Sequence, residues 1–448
     1  MTEGFRQQLT TLYEWSNGGW GEEAPKAVEI EARIRQWVGQ IGQDTQSLIL
    51  GGMDRNRHKG KQGCGECGEE VYWQGYATRN YITSLGEMAL ERAYYHHAAC
   101  HCGWVPLDER LGLGASELSP LVQEMVSYLG GFMPFEQAQQ YLSKYQGIHI
   151  SHDTVNNTTV AIGQMLGQKQ DEAIWQAWGK GCLPECEVTT VPQRLYVSAD
   201  GINYLLPDGQ GKEIRVAAIY ETQARQNKKG ETEIQAINIE YVVATDVETL
   251  ARAASLTAIR RGAELTEEIV VSGDGANWIW NRITPMFPGQ KTTEVVDFYH
   301  ASEYIWNAGK VVFGSETPET ERWAQKQCHT LKHDGPDTVL AALRDLCSTD
   351  SQELVTKAIT YFENQDQRMD YPTYIQQGLQ MGSGSAESAV KQVVGVRLNQ
   401  AGMRWIPEHA EAVAHVRAAI LSNHWDEFWT DFHPPPRQYN RMDLPLAV

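Results

Sequence analysis

Two hydrophobic periodicities alternate along the chain. The segments RLYVSADGINYLL, KEIRVAAIYET and AINIEYVVAT are rich in β-branched and aromatic residues and are bounded by turn residues, a pattern typical of strands. DVETLARAASLTAIRRGAEL has helical spacing, whereas EEIVVSGDGANWIW and TTEVVDFYHASEYIW each begin as a strand and continue as a helix. The predicted order is therefore three strands, a helix, a strand, a helix and a strand.

This order predicts an α/β fold with a ribonuclease-H-like core, in which a three-stranded meander pairs with parallel strands joined through helices. Helical patterns without strand runs then follow. The predicted regions are an N-terminal helical segment (1–50), a zinc-ribbon-like module (51–112), a helix-turn-helix region (113–180), the first part of the core (190–300), an all-helical insertion (301–380), the end of the core (381–430) and a Pro-rich tail (431–448).

Composition narrows the functional classes. Of the 448 residues, 42% are hydrophobic and 21% are charged, which is enough for a sizeable core and several domains. No run of about 18 apolar residues is present, and the first residues lack a basic region followed by an apolar stretch. We therefore expect a cytosolic protein without a membrane partner. The net charge of −19 argues against a simple nucleic-acid binder but leaves room for local basic surfaces.

Two metal-ligand motifs lie in the N-terminal third. Cys64 and Cys67 have the spacing of a zinc knuckle in a glycine-containing turn, and His97 and Cys100 repeat that spacing. Eight cysteines in a cytosolic chain indicate metal binding or free thiols rather than disulfides. We predict one tetrahedral structural Zn²⁺ on these four residues. A second half formed by Cys100 and Cys102 is the alternative, as are unpaired thiols or a redox pair.

The pattern that follows predicts helices separated by turns. PFEQAQQYLSKY and HDTVNNTTVAIGQML are predicted helices joined by the turn GIHIS, in which Ser151 is a suitable N-cap. The polar residues His152, Asn156 and Asn157 lie early in the second helix and are predicted to face outward. This is the pattern of a helix-turn-helix, whose second helix enters the major groove of DNA. An ordinary helical hairpin is the alternative.

Two carboxylates occupy corresponding positions at predicted strand ends. Asp200 ends RLYVSAD, Asp274 ends EEIVVSGD, and a glycine follows each of them. In the predicted topology the two strands are neighbours, so the carboxylates meet and repel each other unless a cation neutralises them. Mg²⁺ binds one or two carboxylates together with substrate phosphates, and Mn²⁺ is the alternative ion. Each Asp-Gly pair taken alone is also typical of a simple turn.

A third carboxylate lies in the stretch MGSGSAESAVKQ. Four small residues precede Ala386 and Glu387, and they free the backbone for close approach to a ligand. Glu387 falls in the first turn of the predicted helix, and Lys391 lies one turn later on the same face. The arrangement predicts a third metal ligand beside bound DNA. A helix N-terminus made only for packing is the alternative.

Basic residues are concentrated locally despite the acidic total. Lys391, Arg397 and Arg404 are three bases in a stretch without acids, and we predict that they contact DNA phosphates. A second basic stretch, residues 54–61, precedes the first cysteine pair. Asp297 and His300 follow the last predicted strand. We expect them to support the carboxylate site, with a helix-capping Asp and a core His as the alternative.

The segments VSADG, VVSGDGANWIWNRITPMFPG, VDFYHASEY and GSGSAESAVKQVVGVRLNQAGMRW resemble the DDE transposases of bacterial insertion sequences. The resemblance is closest to the group named after the Kra-four element, with kinship to Mutator-like transposases. It runs from the cysteine motifs through PLDERLGL to the C-terminal helices. The resemblance implies Asp200, Asp274 and Glu387 as the metal-binding triad, and it matches Asp297-x-x-His300. One departure concerns the cysteines: where a second CxxC is expected, this chain has His97-x-x-Cys100 followed by Cys102.

The resemblance also implies a reaction. In two-metal phosphoryl transfer, water cleaves a DNA strand at the element end and leaves a 3′-hydroxyl that attacks target DNA in line. The zinc module and the helix-turn-helix would bind the terminal inverted repeats, and a homodimer or larger assembly would hold two ends at the bacterial nucleoid. The alternatives are a ribonuclease-H-like nuclease that cleaves without joining, a domesticated DNA-binding regulator, and a redox or metal-handling protein.

Overall fold

The structure of the protein is a computed structural model that describes residues 3–18, 25–54, 61–64, 67–226, 230, 232–346, 353–382, 384–434 and 437. It comprises two compact units: unit 1 is Met1–Thr158 with Asp426–Val448, and unit 2 is Thr159–Trp425. One long helix begins in unit 1 and continues in unit 2, so the predicted boundary at residue 180 falls inside unit 2. Within the described residues, no helix has both the length and the apolar character needed to cross a membrane.

Unit 1 contains a small antiparallel sheet and several helices. The elements are α1 (Glu3–Asn17), α2 (Ala27–Asp54), β1 (Lys61–Gly63), β2 (Glu70–Thr83), β3 (Gly86–His97), β4 (Cys102–Trp104), α3 (Pro106–Arg110), α4 (Pro120–Phe132), α5 (Phe135–Tyr141), the start of α6 (His152–Lys180) and the C-terminal α16 (Trp425–Thr430). The strands pair in chain order, and α2 lies against β3. The predicted N-terminal helical segment therefore holds two helices rather than one.

The sheet of unit 1 encloses a buried ion pair. Arg92 on β3 is fully buried, and its Nη1 atom lies 2.8 Å from Oδ2 of Asp108 on α3. The surrounding core contains Tyr81, Tyr94 and Leu107. A buried charge is tolerated only when it is paired, so this contact ties the segment PLDERLGL to the sheet.

A separate core joins α4, α5 and the first turns of α6. Its buried residues are Leu118, Val122, Val126, Ala138, Leu142, Ile148 and Val155. Ser151 accepts a hydrogen bond from the backbone N–H of Thr154 at 3.0 Å, which confirms it as the N-cap of α6. The predicted pair of helices with an intervening turn is therefore present, with Gly147 in the left-handed region at φ 67°.

Unit 2 is built on a five-stranded mixed sheet. Its strands are β5 (Arg194–Leu205), β6 (Gly211–Gln226), β7 (Thr232–Ala244), β8 (Glu268–Gly273) and β9 (Thr292–Val296). Their spatial order is β7-β6-β5-β8-β9. The meander β5-β6-β7 is antiparallel, whereas β8 and β9 run parallel to β5. All six residues of β8 are buried, as expected for a central parallel strand.

Helices cover this sheet and form the rest of unit 2. They are α7 (Val247–Arg260), α8 (Phe298–Phe313), α9 (Pro318–Asp334), α10 (Pro336–Leu346), α11 (Glu353–Gln365), α12 (Tyr371–Gln377), α13 (Gly384–Val390), α14 (Val396–Leu398) and α15 (Pro407–Leu421). The described residues between Phe298 and Gln377 contain helices and no strand, as predicted for that region. A π-helical turn, Lys391–Gly395, connects α13 to α14.

Within unit 2, α6 and α15 cross at a glycine. A Cβ atom on Gly163 would overlap the backbone carbonyl of Ala412, and one on Gly167 would lie 3.2 Å from the ring of His415. His415 is half-buried at this crossing, and desolvation lowers its pKa to about 4. The helices can therefore pack this closely only because both positions lack a side chain.

We expect Gly163→Val to lower the free energy of unfolding by about 1–3 kcal/mol, because the added side chain must displace the backbone of α15. Urea unfolding followed by circular dichroism measures the change. Gly39→Ala is the matched control, since Gly39 is helical and a Cβ atom there meets nothing within 4 Å. An unchanged midpoint for Gly163→Val would contradict the close crossing of the two helices.

Candidate functional site

The two aspartates of the predicted site lie on neighbouring strands. Asp200 is part of β5, Asp274 directly follows β8, and the parallel register aligns Ser198 with Ser272. If this register is extended by two residues beyond Ser198 and Ser272, Asp200 comes to lie beside Asp274. The prediction that Asp200 ends its strand is wrong, because β5 continues to Leu205. Strand register, rather than two strand ends, brings the carboxylates together.

The electrostatics of Asp200 reflect this neighbourhood. Burial raises the pKa of its carboxyl to about 6, and the charges of Asp274 and Glu213 act in the same direction. The hydrogen bond from Gly201 and the charge of His300 lower the pKa but do not compensate. Glu213 lies on β6 opposite Asn203 and was not predicted. Nothing in the sequence distinguishes a single acid in a polar strand segment from an ordinary surface residue.

The loop that carries Asp274 is held in place by α11. The hydroxyl of Tyr361 donates to the carbonyl oxygen of Asp274 at 2.8 Å, and Gln365 donates to the carbonyl oxygen of Gly275 at 2.8 Å. Gly275 has φ 102°, and a Cβ atom there would lie 2.8 Å from the Tyr361 ring. The N–H of Ala276 donates to Oδ1 of Asp274 at 2.8 Å. Both the loop and its carboxylate are therefore fixed.

Asp297 caps a helix and positions His300. It is buried, and its Oδ1 accepts hydrogen bonds from the backbone N–H groups of Tyr299 at 2.5 Å and His300 at 2.9 Å. The capping role that sequence analysis left as an alternative is therefore present. His300 is not a core residue, since its half-exposed side chain lies where its charge acts on Asp200. Asp297 thus contributes to the site through the helix that carries His300.

Glu387 lies on an element that packs beside the aspartates. It falls in the first turn of α13, which lies against β5 and β6, and its side chain is exposed. The preceding segment reaches α8, where Phe298 N–H donates to the carbonyl oxygen of Met381 at 3.0 Å. Among the described residues, the oxygens of Asp200, Asp274 and Glu387 do not all lie within 4.8 Å of one another. The structure thus pairs the two aspartates and places Glu387 on the adjoining helix.

The predicted basic surface is smaller than expected. Lys391 and Arg404 are exposed, but Arg397 is fully buried. The Arg397 guanidinium lies 4.8 Å from the centre of the Trp405 ring, and burial together with Arg417 lowers the pKa of Arg397 to about 10. The prediction that Arg397 contacts DNA is therefore wrong. The π-helical turn shifts the helical phase, so residue 397 turns inward.

The predicted DNA-contacting residues of α6 differ in exposure. His152 and Asn157 are exposed, as predicted for an outward-facing helix. Asn156 is half-buried, and its side-chain oxygen is enclosed without a hydrogen-bond partner among the described residues. Of the basic stretch predicted before the first cysteine pair, residues 55–60 lie outside the described residues.

The predicted cysteine and histidine ligands form one cluster. The ligand atoms of Cys64, Cys67, His97 and Cys100 all lie within 4.8 Å of one another, so the group could hold a metal ion such as zinc. His97 Nδ1 lies 3.4 Å from the Cys67 sulfur and 3.2 Å from the Cys100 sulfur. Cys102 lies 3.4 Å from Cys64 but is not part of this group. The geometry therefore favours His97 over Cys102 as the fourth ligand.

The surroundings of the cluster orient its ligands. Backbone hydrogen bonds from Cys64 N–H to Glu69 O at 2.7 Å and from Gly68 N–H to Cys64 O at 2.8 Å form the knuckle turn. Nε2 of His97 lies 3.5 Å from the Glu69 carboxylate, which leaves Nδ1 facing the cysteines. The hydrogen bond with Cys67, burial, and the neighbouring thiols raise the pKa of Cys100 to about 12. The thiols can therefore all be ionised at the same time only when a cation is bound among them.

Comparison with known proteins gives a family for the chain. A relative from Streptococcus gallolyticus, described as "UPF0236 protein in vanSb 3'region", is 23% identical over 339 residues, which are 74% of this chain and 70% of the relative. The family model "Uncharacterised protein family (UPF0236)" matches residues 26–426, which include the cysteine cluster, the mixed sheet and the helix of Glu387. On that match, the chain belongs to the uncharacterised protein family UPF0236.

Proposed function

We propose that the protein is a DNA transposase with a ribonuclease-H-like catalytic core that performs cation-dependent cleavage and joining of DNA strands. One observation carries the proposal: Asp200 on β5 lies close to Asp274, which directly follows the neighbouring parallel strand β8, and burial together with the charge of Asp274 raises the pKa of Asp200 to about 6. Perturbed carboxylates at close range mark sites that bind a cation or transfer protons.

The sheet supports the choice of core. An antiparallel meander followed by two parallel strands, in the order β7-β6-β5-β8-β9, is the arrangement expected from the sequence for a ribonuclease-H-like domain. Asp200 lies on β5, and Asp274 directly follows the adjacent parallel strand β8. The helix of Glu387 comes back to β5 and β6 after the helical region, which supports Glu387 as the third member of the triad.

The donor set fits a hard divalent cation. Oδ1 of Asp200 accepts from Gly201 N–H at 2.7 Å, and Oδ1 of Asp274 accepts from Ala276 N–H at 2.8 Å. Among the described residues, no hydrogen bond engages either Oδ2 atom, so each carboxylate is oriented with one oxygen left for a ligand. Mg²⁺ or Mn²⁺ bound here would stabilise the attacking and leaving oxygens of a phosphodiester.

The remaining residues have supporting roles in this proposal. Lys391 and Arg404 are exposed cations near the Glu387 helix that can hold DNA phosphates. Asp297 and His300, at the start of α8, would support the carboxylate pair. The metal-binding cluster and the helices α5 and α6, through His152 and Asn157, would bind the terminal inverted repeats. Action on two element ends would require a homodimer or larger assembly, in the bacterial cytoplasm at the nucleoid.

The proposal is tested with labelled duplexes taken from the DNA that flanks the gene, incubated with Mg²⁺ or Mn²⁺. We expect wild type to cut and join strands, and Glu387→Gln to lose both activities by about 100-fold or more, because it lacks one anionic ligand. Sequencing gels and a strand-joining assay measure the products.

The other possible outcomes of this experiment would lead to different conclusions. Cutting without joining would indicate a nuclease. DNA binding without cutting, by wild type and Glu387→Gln alike, would indicate a regulator. Full activity of Glu387→Gln would exclude Glu387 from the triad.

A further inference from the structure

A cavity of about 530 Å³ lies between α8 and α11, and its lining residue Tyr361 contacts the loop that carries Asp274. Its volume is in the range of sites for small organic ligands. One wall is the face of α11 on which Lys357, Tyr361 and Asn364 recur every three or four residues, and Tyr304 of α8 completes it. The position matters because the same helix, α11, holds the Asp274 loop.

The aromatic wall of the cavity is a pair of tyrosine rings stacked face to face, so a ligand can stack only on an outer ring face. The rings of Tyr304 and Tyr361 stack with centroids 4.0 Å apart and an interplanar angle of 10°. His300 meets both rings edge-on, at centroid distances of 5.6 Å and 5.9 Å. Both tyrosines are only half-buried, so the stacked pair is accessible. The Tyr361 hydroxyl is bound to the Asp274 carbonyl, which fixes the rings before any ligand arrives.

The aromatic wall is continuous with the carboxylate site. Tyr361 touches the Asp274 loop directly, and His300 contacts the tyrosines while its charge acts on Asp200. A molecule stacked on Tyr304 or Tyr361 would therefore be one side chain away from the carboxylates.

Polar groups surround the aromatic wall. The amide of Asn364 and the hydroxyl of Thr360 are exposed at the cavity, and both can bond to base edges. Lys357 pairs with Glu353 at 2.7 Å, and both are well exposed, so the cation stays available to a phosphate. An aromatic platform with amide, hydroxyl and ammonium groups around it has the chemistry of a nucleotide site.

We propose that this cavity binds one unstacked nucleobase of the DNA strand whose phosphodiester lies at Asp200 and Asp274, with Tyr304 and Tyr361 as the stacking platform. The inference rests on the proposed function and deepens it. Where a base leaves the stack beside that phosphodiester, stacking on the tyrosines would offset the base stacking that is lost.

The test combines protein variants with DNA lacking single bases. The flanking-DNA duplexes are prepared with an abasic nucleotide at each position near the cut, and binding is measured with Ca²⁺ for wild type, Tyr304→Leu and Tyr304→Phe. We expect one abasic position to weaken wild-type binding about tenfold. Tyr304→Leu should weaken binding of intact DNA about tenfold and show no further loss at that position, whereas Tyr304→Phe should match wild type.

Three results would overturn the inference. If wild type cuts the duplexes and no abasic position alters binding, the cavity does not hold a base, and the transposase proposal stands. If Tyr304→Leu stays as sensitive to the abasic position as wild type, the base binds elsewhere. Absence of DNA cleavage by wild type would overturn both proposals. Circular dichroism of Tyr304→Leu, with Tyr304→Phe as the ring-preserving control, separates misfolding from lost stacking.

Discussion

Asp200→Asn is expected to reduce strand cleavage by about 10³-fold and to stabilise the metal-free protein at the same time. The loss of activity follows because the variant lacks a negative oxygen for the cation. The gain in stability follows because an ionised, half-buried Asp200 is partly desolvated and is repelled by the charges of Asp274 and Glu213. A neutral amide avoids both costs. A purely structural aspartate would give the opposite change in stability.

The pH dependence of the stability has a defined sign. The folded-state pKa of Asp200 is raised from 3.8 to about 6, so between these values the folded protein holds a proton that the unfolded chain has lost. Stability from this group is therefore lost as the pH rises through that window. The stability difference between variant and wild type should be near zero below the window and reach about 2–3 kcal/mol above it.

Thermal unfolding from pH 3.5 to about pH 7.5 measures this difference, with Asp334→Asn as the control for an exposed carboxylate of the same unit. Added Mg²⁺ should stabilise wild type by mass action and leave Asp200→Asn unchanged. A stability difference that does not change with pH would contradict the raised pKa. Equal stabilisation of both proteins by Mg²⁺ would show that the cation binds elsewhere.

Cys100→Ser is expected to abolish zinc binding in unit 1 and to unfold the end of the small sheet that carries the cluster. The free energy of structural zinc binding is about 10 kcal/mol or more, and this end of the sheet has only a small core of its own, formed by Cys64, Val71, Ala93 and Tyr95. Cys102→Ser is the matched control, since Cys102 is two residues away and outside the ligand group. Elemental analysis of reduced, chelator-free protein should give about one equivalent of zinc for wild type and Cys102→Ser.

Less than about half an equivalent in wild type would count against a structural site. Zinc retained by Cys100→Ser and lost by Cys102→Ser would show that Cys102 is a ligand. Binding should also release protons and weaken as the pH falls, because the metal-free cluster holds the pKa of Cys100 near 12. Zinc titration in weakly buffered solution measures that release.

Sequence patterns predicted the elements that follow simple periodicities. The strands around Asp200 and Asp274 are runs of β-branched and apolar residues, and each aspartate precedes a glycine, so both strands and acids were recognisable. The cysteine knuckle is a local motif and was equally visible. Residue spacing also predicted the Ser151 cap, because an N-cap depends on only the next few residues.

Contacts between distant segments were not predictable in this way. Tyr361 and Gln365 bind the Asp274 loop across 87 and 90 residues of sequence, and no local pattern records such pairs. Arg397 was misplaced because its prediction rested only on a local run of bases without acids, whereas the structure buries it against Trp405. Asp200 was placed at a strand end because Asp-Gly usually marks a turn, whereas here β6 continues to pair with the strand beyond it.

The two hydrogen bonds from α11 to the Asp274 loop set a limit on how this chain can be shortened. A fragment designed by joining β9 to the Glu387 helix would keep the five strands and the three acids. It would therefore contain all three residues of the predicted triad. It would lack Tyr361 and Gln365, and with them the support that fixes the second aspartate. The helical region thus positions the Asp274 loop, and a minimal version of this protein has to retain it.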